Sequence, residues 1–271
     1  MPKSLLRIFS YLPNPRIFKA SITARLCNVP IEIRGASPKE LKGWLWDFNA
    51  GPLAMKTSQD TLKSAQTASR GYSGTLYKTS DFLDAIPYGT VPAAFSPRGE
   101  IGVFESNSIM RAVARLATDS KNLYGSSAYE SSRIDSFLDS MLLFAKDSQA
   151  YLLALMNGTI TDQEYIDAEQ ALHNWLSGTE QVLSKKPYLT GELSLADICF
   201  ACEITLLKLE SCHASELSNL GKASLMAAHT AKSFPSSIRH YEKLCEIPDF
   251  AADIKPFIEA IDSGISPYNL S

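Results

Sequence analysis

Two short segments carry the strongest structural signal in this chain: Ile86-Pro87-Tyr88-Gly89-Thr90-Val91-Pro92-Ala93-Ala94-Phe95 and Phe104-Glu105-Ser106-Asn107-Ser108-Ile109. The first predicts a strand with Pro92 at its start or on an edge, because a proline inside a strand would remove a ladder donor. Pro97-Arg98-Gly99-Glu100 predicts a hairpin turn into a partner strand. The serines of the second segment are N-cap candidates, so a helix is expected from there to about Leu116.

The sequence before this hairpin predicts a strand, a helix and a second strand. Leu5 to Tyr11 is rich in Leu, Ile, Phe and Tyr and predicts the first strand, which Pro13-Asn14-Pro15 stops. Residues 16–27 place apolar side chains at helical spacing. Val29 to Ile33 returns to strand character, so we expect a right-handed βαβ unit if the strands are parallel.

A long polar and aromatic segment, about residues 35–77, separates this unit from the hairpin. It predicts one short helix over 38–48, a second over 57–69 and a loop over 70–74. Three aromatic residues argue against a disordered linker: Trp44, Trp46 and Phe48. They could wall a ligand pocket, cover a sheet edge, contact a second subunit, or pack locally onto the domain.

Beyond Tyr124 nearly all signals are helical. Capping patterns at Thr161-Asp162-Gln163-Glu164 and Ser194-Leu195-Ala196-Asp197 precede apolar helices. The predicted helices cover residues 132–155, 161–183, 198–209, 235–244 and 249–260. The fold class is therefore α/β plus all-α, with one domain over residues 1–118 and a second over 125–271.

Composition excludes several classes of function. The 271 residues carry a formal net charge of −3, which suggests neither a nucleic-acid footprint nor a basic membrane patch. No apolar run approaches the roughly 20 residues of a spanning helix, and the N-terminus is a poor signal peptide. An odd number of cysteines favours reduced thiols in a cytosol. The four histidines lack metal-ligand spacing, and Cys199-Phe200-Ala201-Cys202 lies inside a predicted helix, so it is assigned a structural role.

Taken in order, these motifs resemble those of glutathione transferases, and most of all the transferase-like domain of elongation factor 1 gamma and related bacterial proteins. The resemblance covers most of the chain outside the 35–77 insertion. It is carried by the two opening segments and by Asn14-Pro15-Arg16-Ile17-Phe18-Lys19-Ala20, Lys78-Thr79-Ser80-Asp81-Phe82-Leu83, Thr190-Gly191 with Ser194 and Asp197, and Phe234-Pro235 with Arg239. It implies a thioredoxin-like N-terminal domain and a helical C-terminal domain.

The resemblance also implies where glutathione would bind. Val91 would precede a cis Pro92 and offer its backbone N–H and C=O to the cysteinyl backbone, like an added strand. Ser106 and the first helical N–H groups would hold the γ-glutamyl carboxylate, while Glu105 accepts from its ammonium. The alternatives are a structural turn proline and a plain helix N-cap.

Activation of the glutathione thiol has two candidates. Asn14 stands where familiar transferases carry Tyr, Ser or Cys, and Tyr11 ends the first strand. An asparagine amide can donate to a thiolate but cannot take its proton, and the alternative role of Asn14 is that of a turn residue between two prolines. Arg16 either helps hold the glycyl carboxylate or faces water, and for Lys19 helical spacing favours a solvated face.

The expected function is a cytoplasmic, glutathione-dependent transferase or thiolytic enzyme acting on a hydrophobic, aromatic electrophile. Glutathione would be a co-substrate, with no metal, and conjugation or aryl-ether cleavage would be the reaction. The alternative is a non-catalytic binding or assembly module like the elongation factor domain. Transferases of this fold usually dimerise, so the resemblance implies a homodimer, with a heterodimer left open.

Overall fold

The computed structural model describes residues 4–53, 65–67, 75–118 and 122–269. It divides into two compact units, the first formed by Met1–Asp119 with Tyr268–Ser271 and the second by Ser120–Pro267. In chain order the first unit contains β1 (Leu6–Tyr11), α1 (Pro15–Leu26), β2 (Ile31–Ala36), β3 (Trp44–Trp46), β4 (Gly51–Pro52), β5 (Ala65–Thr67), β6 (Thr75–Lys78), α2 (Ser80–Ala85), β7 (Ala93–Phe95), β8 (Gly102–Phe104) and α3 (Ser106–Leu116).

The main sheet of the first unit has the strand order β2-β1-β7-β8. β1 and β2 are parallel and joined through α1, which confirms the predicted βαβ unit. β7 is antiparallel to both of its neighbours, β1 and β8. Pro92 stands immediately before β7, as the loss of its backbone donor requires.

The insertion forms a second four-stranded sheet of order β4-β3-β6-β5. The helix predicted over 38–48 is wrong: a 3₁₀ turn at Glu40–Gly43 leads directly into β3. β3 pairs in parallel with the distant β6, and such a long-range partner is invisible to local pattern. Most of the helix predicted over 57–69, and the loop over 70–74, lie outside the described residues, although Ala65–Thr67 form a strand.

The aromatic residues of the insertion belong to the core of the first unit. The buried Trp46 ring packs edge-on against Phe9 at 5.4 Å and against Phe82 at 6.0 Å. Trp44 stacks on Phe9 at 6.1 Å, and Phe48 meets Phe95 edge-on at 5.9 Å. Of the alternatives that the sequence leaves open, these contacts support local packing onto the domain.

The second unit is helical, as predicted. It contains α4 (Ala128–Asn157), α5 (Asp162–Leu183), α6 (Leu195–Leu207), α7 (Ala214–Asn219), α8 (Ala228–Ser233), α9 (Pro235–Glu246) and α10 (Pro248–Asp262). Every residue of α6 is buried, so the other helices pack around it. Among the described residues, no helix combines the length and apolar character that a membrane crossing requires.

The N-terminus of α6 is held by the predicted capping box and by a histidine. Asp197 Oδ2 accepts from the backbone N–H and the hydroxyl of Ser194, each at 3.0 Å. Its Oδ1 accepts from the Leu189 N–H at 3.0 Å and lies 2.8 Å from His240 Nε2. All these groups are buried, so His240 is a structural partner of the cap. Cys199 and Cys202 are buried within α6, consistent with a structural role.

We expect Asp197→Ala to lower the free energy of unfolding by about 3–5 kcal/mol, because it leaves buried donors and a buried imidazole without their acceptor. Urea unfolding followed by circular dichroism measures this. Asp162→Ala is the matched control, because Asp162 is an exposed acid in the first turn of α5 that pairs with Lys222. The loss of such an exposed ion pair should lower the free energy of unfolding by about 1 kcal/mol or less. Equal losses in the two variants would contradict the buried network.

Candidate ligand site

Strand register brings three of the predicted site positions to one end of the main sheet. Ala93 of β7 pairs with Phe9 on one side and with Phe104 on the other. Both pairings are antiparallel, so β7 runs in the opposite direction to its two neighbours. Tyr11 therefore follows Phe9, and Ser106 follows Phe104, towards the end of the sheet from which Val91 leads into Ala93. All three residues therefore lie at the same end of the main sheet, within the first unit.

Val91 presents its backbone at this edge. The Val91–Pro92 peptide bond is cis, as is the Leu12–Pro13 bond. Within the described residues, the Val91 N–H and C=O take part in no hydrogen bond to the protein. A partly buried, unpaired backbone unit next to a strand can pair with an extended peptide.

Glu105 holds the turn between β8 and α3 in an unusual conformation. Its φ is 67° and its ψ is 125°, a region that side-chain-bearing residues seldom occupy. Such a residue costs about 1–3 kcal/mol and persists only where its surroundings impose it, most often at functional sites. The Glu105 side chain is exposed, and it makes no cap hydrogen bond to the described part of α3.

The first residues of α3 are joined to a lysine on α1. Lys19 Nζ donates to Ser106 Oγ at 3.2 Å and to Asn107 Oδ1 at 2.9 Å. The prediction of a solvated Lys19 is wrong, because its side chain is 0% exposed. The start of α3 thus combines the positive end of a helix with a buried ammonium group.

Asn14 acts as the N-cap of α1. Its Oδ1 accepts from the Arg16 N–H at 2.9 Å, and its Nδ2 donates to Ser10 Oγ at 3.1 Å. The side chain is fully buried, which supports the turn-residue alternative. A role of Asn14 in thiol activation stays a prediction. In this structure both the oxygen and the nitrogen of its amide already make hydrogen bonds within the fold.

Tyr11 and Arg16 are half-buried on either side of this turn. The Tyr11 ring meets the ring of Tyr268 edge-on, with centroids 5.7 Å apart. Tyr268 belongs to the 3₁₀ turn Pro267–Asn269 near the end of the described chain. The contact holds the Tyr11 ring in place at the end of β1.

Lys78 is a candidate site residue that the sequence did not single out. Its Nζ lies 5.2 Å from the centroid of the Trp46 ring, and a Cβ placed on Gly89 would stand 3.1 Å from it. Burial lowers the pKa of Lys78 from its ordinary value. Its position in the motif Lys78-Thr79-Ser80, ahead of α2, was the available signal.

The aromatic residues of the second unit have mixed environments. Phe144 is buried and stacked on Trp175, with centroids 4.4 Å apart. Tyr151 is buried and donates to Glu210 at 2.9 Å, whereas the Tyr124 hydroxyl donates to Asp135 at 2.8 Å. Tyr129 is 89% exposed. Within this unit, Phe137 and Phe144 line a groove of about 970 Å³ between α4 and α5.

In the part of the chain that the structure describes, no cluster of three or more His, Cys, Asp or Glu side chains could hold a metal ion.

Comparison with known proteins identifies relatives of two kinds. No protein-family model matches the chain. It is 30% identical over 182 residues to a probable elongation factor 1-gamma of Arabidopsis thaliana, covering 65% of this chain and 39% of the relative. It is 27% identical over 197 residues to the glutathione S-transferase-like protein FUS3 of Gibberella moniliformis, covering 70% of this chain and 72% of that protein. The chain spans about two fifths of the elongation factor relatives' length.

Solved structures show the same fold. A glutathione transferase from Methylobacillus flagellatus, crystallised with glutathione bound, matches with a TM-score of 0.62 at 13% identity, over 92% of this chain and 98% of that one. A Populus trichocarpa glutathione transferase matches with a TM-score of 0.60 at 20% identity, over 94% and 99%. The thioredoxin-like N-terminal region and the helical C-terminal region expected from the sequence are thereby confirmed.

The cap role of Asn14 makes a direct prediction. Asn14→Ala should lower the free energy of unfolding by about 1–2 kcal/mol, because α1 loses its side-chain cap, while Asn14→Ser should recover most of it. Urea unfolding of the two variants measures the difference. An Asn14→Ala variant of unchanged stability but reduced thiol transfer would instead assign Asn14 to catalysis.

Proposed function

We propose that this chain, which is similar to glutathione transferases in sequence and in fold, binds glutathione at the end of the main sheet marked by Val91 and Ser106 and uses its thiolate on a hydrophobic, aromatic electrophile. The observation that carries the proposal is the strand register. This register brings the unpaired Val91 backbone and the start of α3 to the same end of the main sheet. A peptide with an anionic end can use both.

The start of α3 supplies what a γ-glutamyl group needs. Its carboxylate would accept from the Ser106 hydroxyl and from the first N–H groups of the helix, where the helix dipole is positive. The exposed Glu105 carboxylate is adjacent and would accept from the ligand's ammonium group. Charge-assisted bonds of this kind are about twice as strong as neutral ones.

The cysteinyl and glycyl parts would lie beside Val91, at the end of the main sheet where β7 begins. The Val91 N–H and C=O would pair with the cysteinyl backbone, which gives affinity without side-chain chemistry. Arg16 remains the predicted partner of the glycyl carboxylate. Lys78 is a second candidate cation for this carboxylate, because its Nζ lies beside Gly89, two residues before Val91. A bound carboxylate would also stabilise the ammonium form, whose pKa is lowered by burial.

The chemistry requires a glutathione thiolate near neutral pH. A thiol pKa of roughly 8.5 must fall by about 2 units, which corresponds to about 2.7 kcal/mol of preferential thiolate stabilisation. The Tyr11 hydroxyl at the end of β1 is our candidate donor of a hydrogen bond to the thiolate. In substitution or aryl-ether cleavage, the sulfur forms a bond to carbon while the leaving oxygen or halide departs with the electron pair. In an addition reaction, the sulfur forms a bond to carbon and the resulting carbanion takes a proton.

The alternative function is a non-catalytic binding or assembly module. The cap role of Asn14 favours it, since the position that carries a thiol-activating residue in familiar transferases is here used by the fold. The sequence similarity to elongation factor 1-gamma points the same way. Such a module would use the fold as an interaction platform, and thiol activation is the property that separates it from a transferase.

Two further features of the molecule bear on its assembly and compartment. Leu142, Leu153 and Met156 lie exposed on one face of α4, which supports the proposal of a dimer through the second unit. A solution mass measurement would decide between dimer and monomer. All five cysteines are free thiols, which supports a reducing, cytoplasmic environment.

Calorimetry with glutathione tests the binding edge. Ser106→Ala should weaken binding by about 1–3 kcal/mol, the worth of one charge-assisted hydrogen bond. Ser37→Ala is the matched control, because Ser37 is a partly exposed serine of the same unit whose hydroxyl donates to Glu40. Unchanged affinity in Ser106→Ala would remove this serine from the site, and no binding by the wild-type chain at millimolar glutathione would overturn the proposal.

Thiol-transfer assays against aromatic halides and β-aryl ethers test catalysis. Tyr11→Phe should reduce kcat/KM by about 10- to 100-fold, because one hydrogen bond to the thiolate is lost, and should raise the pKa of the bound thiol. Glutathione affinity should remain within about twofold of wild type. A wild-type chain that binds glutathione without turning over any electrophile would favour the assembly module.

A further inference from the structure

Tyr268 lies against the residue that we propose as the donor to the glutathione thiolate. It belongs to the first unit, although the residues before it in sequence belong to the second. Its ring meets the Tyr11 ring edge-on, with the centroids 5.7 Å apart and the ring planes at 79°. Tyr268 is half-buried, and Pro267, which begins the same 3₁₀ turn, is buried. The turn is therefore packed, and it holds the Tyr268 ring at a fixed place beside Tyr11.

The position of Tyr11 in β1 explains why such a partner matters. Side chains alternate along a strand, so Phe9 and Tyr11 lie on the same face of the main sheet. Phe9 is enclosed there by the aromatic residues of the insertion. Tyr11 is the last residue of β1, and its cross-strand neighbour on β2 is Ala36, which offers a single methyl group. Tyr268 adds a large aromatic surface at this end of the strand.

The orientation of the Tyr11 ring decides where its hydroxyl points. The hydroxyl stands at the far end of the ring, so a rotation about either side-chain torsion moves the oxygen through a long arc. A hydrogen bond weakens steeply when its angle departs from the favoured range. Aromatic pairs prefer particular relative orientations, and the edge-on arrangement is one of them. The contact with Tyr268 therefore restricts the directions in which the Tyr11 hydroxyl can donate.

We propose that Tyr268 is a positioning residue for thiol activation, whose ring fixes the orientation in which the Tyr11 hydroxyl donates to the glutathione thiolate. The inference rests on the proposed function, in which Tyr11 is that donor. It adds a residue remote in sequence on which the activation depends. Tyr268 acts through Tyr11 and is not itself a catalytic residue.

Two substitutions of Tyr268 separate its ring from its hydroxyl. Tyr268→Leu removes the ring and should lower kcat/KM for an aromatic halide by about 3- to 10-fold, the worth of one edge-on aromatic pair. The thiol pKa in the pH profile of kcat/KM should rise by about 0.5–1 unit for the same reason. Tyr268→Phe keeps the ring and should recover most of the activity. Tyr129→Leu is the matched control, because Tyr129 is 89% exposed, and it should change neither quantity.

Glutathione affinity, measured by calorimetry, should stay within about twofold of wild type in both Tyr268 variants. A Tyr268→Leu variant with the wild-type kcat/KM and thiol pKa overturns the inference. An equal loss in Tyr268→Phe also overturns it, because the hydroxyl of Tyr268 and not its ring would then be responsible. A loss of affinity that accounts for the whole fall in kcat/KM assigns Tyr268 to binding, with the same consequence. If Tyr268→Leu does not fold, Tyr268→Met takes its place, since methionine is apolar and adaptable.

The Tyr11→Phe variant distinguishes failure of this inference from failure of the proposed function. If Tyr11→Phe raises the thiol pKa and Tyr268→Leu does not, only the inference fails. If Tyr11→Phe leaves the thiol pKa unchanged, the donor role of Tyr11 fails, and the inference fails with it. Where both variants act, their effects should be non-additive, with the double variant about as active as Tyr11→Phe. Additive losses would show that Tyr268 does not act through Tyr11.

The same comparison can be made without turnover of an electrophile. The ultraviolet absorbance of bound glutathione thiolate, titrated against pH, gives the thiol pKa in the wild-type chain and in each variant. Tyr268→Leu should raise this pKa and Tyr268→Phe should leave it near the wild-type value. The wild-type value in Tyr268→Leu overturns the inference, and a wild-type chain that does not bind glutathione overturns the proposed function together with it.

Discussion

The first unit depends on a short strand, β7, being paired along both of its edges. Its three residues join β1 on one side and β8 on the other, and Ala93 takes part in both pairings. A slip of one residue would turn every side chain to the opposite face and move Val91 out of line with Ser106. The insertion helps to hold this register, because its aromatic residues pack against Phe9 of β1 and Phe95 of β7.

A second constraint appears where β8 passes into α3. Glu105 adopts a positive φ, and a lysine ammonium group is buried at the same helix end. Each feature costs stability by itself and persists only where the surrounding structure imposes it. Costs of this kind concentrate where a ligand later offsets them. The γ-glutamyl carboxylate that we propose for the start of α3 would interact favourably with this helix end.

Local signals predicted the elements whose causes are local. β1, α1, the β7–β8 hairpin and the capping box at Ser194 follow from strand-forming residues, proline positions and cap residues, and the structure confirms them. The helix expected over 38–48 failed because β3 is stabilised by pairing with a strand far along the chain. The burial of Lys19 was missed for the same reason, since its partners on α3 are remote in sequence.

The candidate site shows the same division, and it explains why function is harder to predict than fold. Val91 and Ser106 are marked by short motifs, and both would serve a transferase or a non-catalytic glutathione binder equally well. The position that separates the two functions is the end of β1, where a donor must reach the thiol. At the end of β1, the Asn14 side chain is the N-cap of α1, and the Tyr11 ring packs against Tyr268. Motifs for binding are local, but activation of the thiol depends on how a single hydroxyl is oriented by residues distant in sequence.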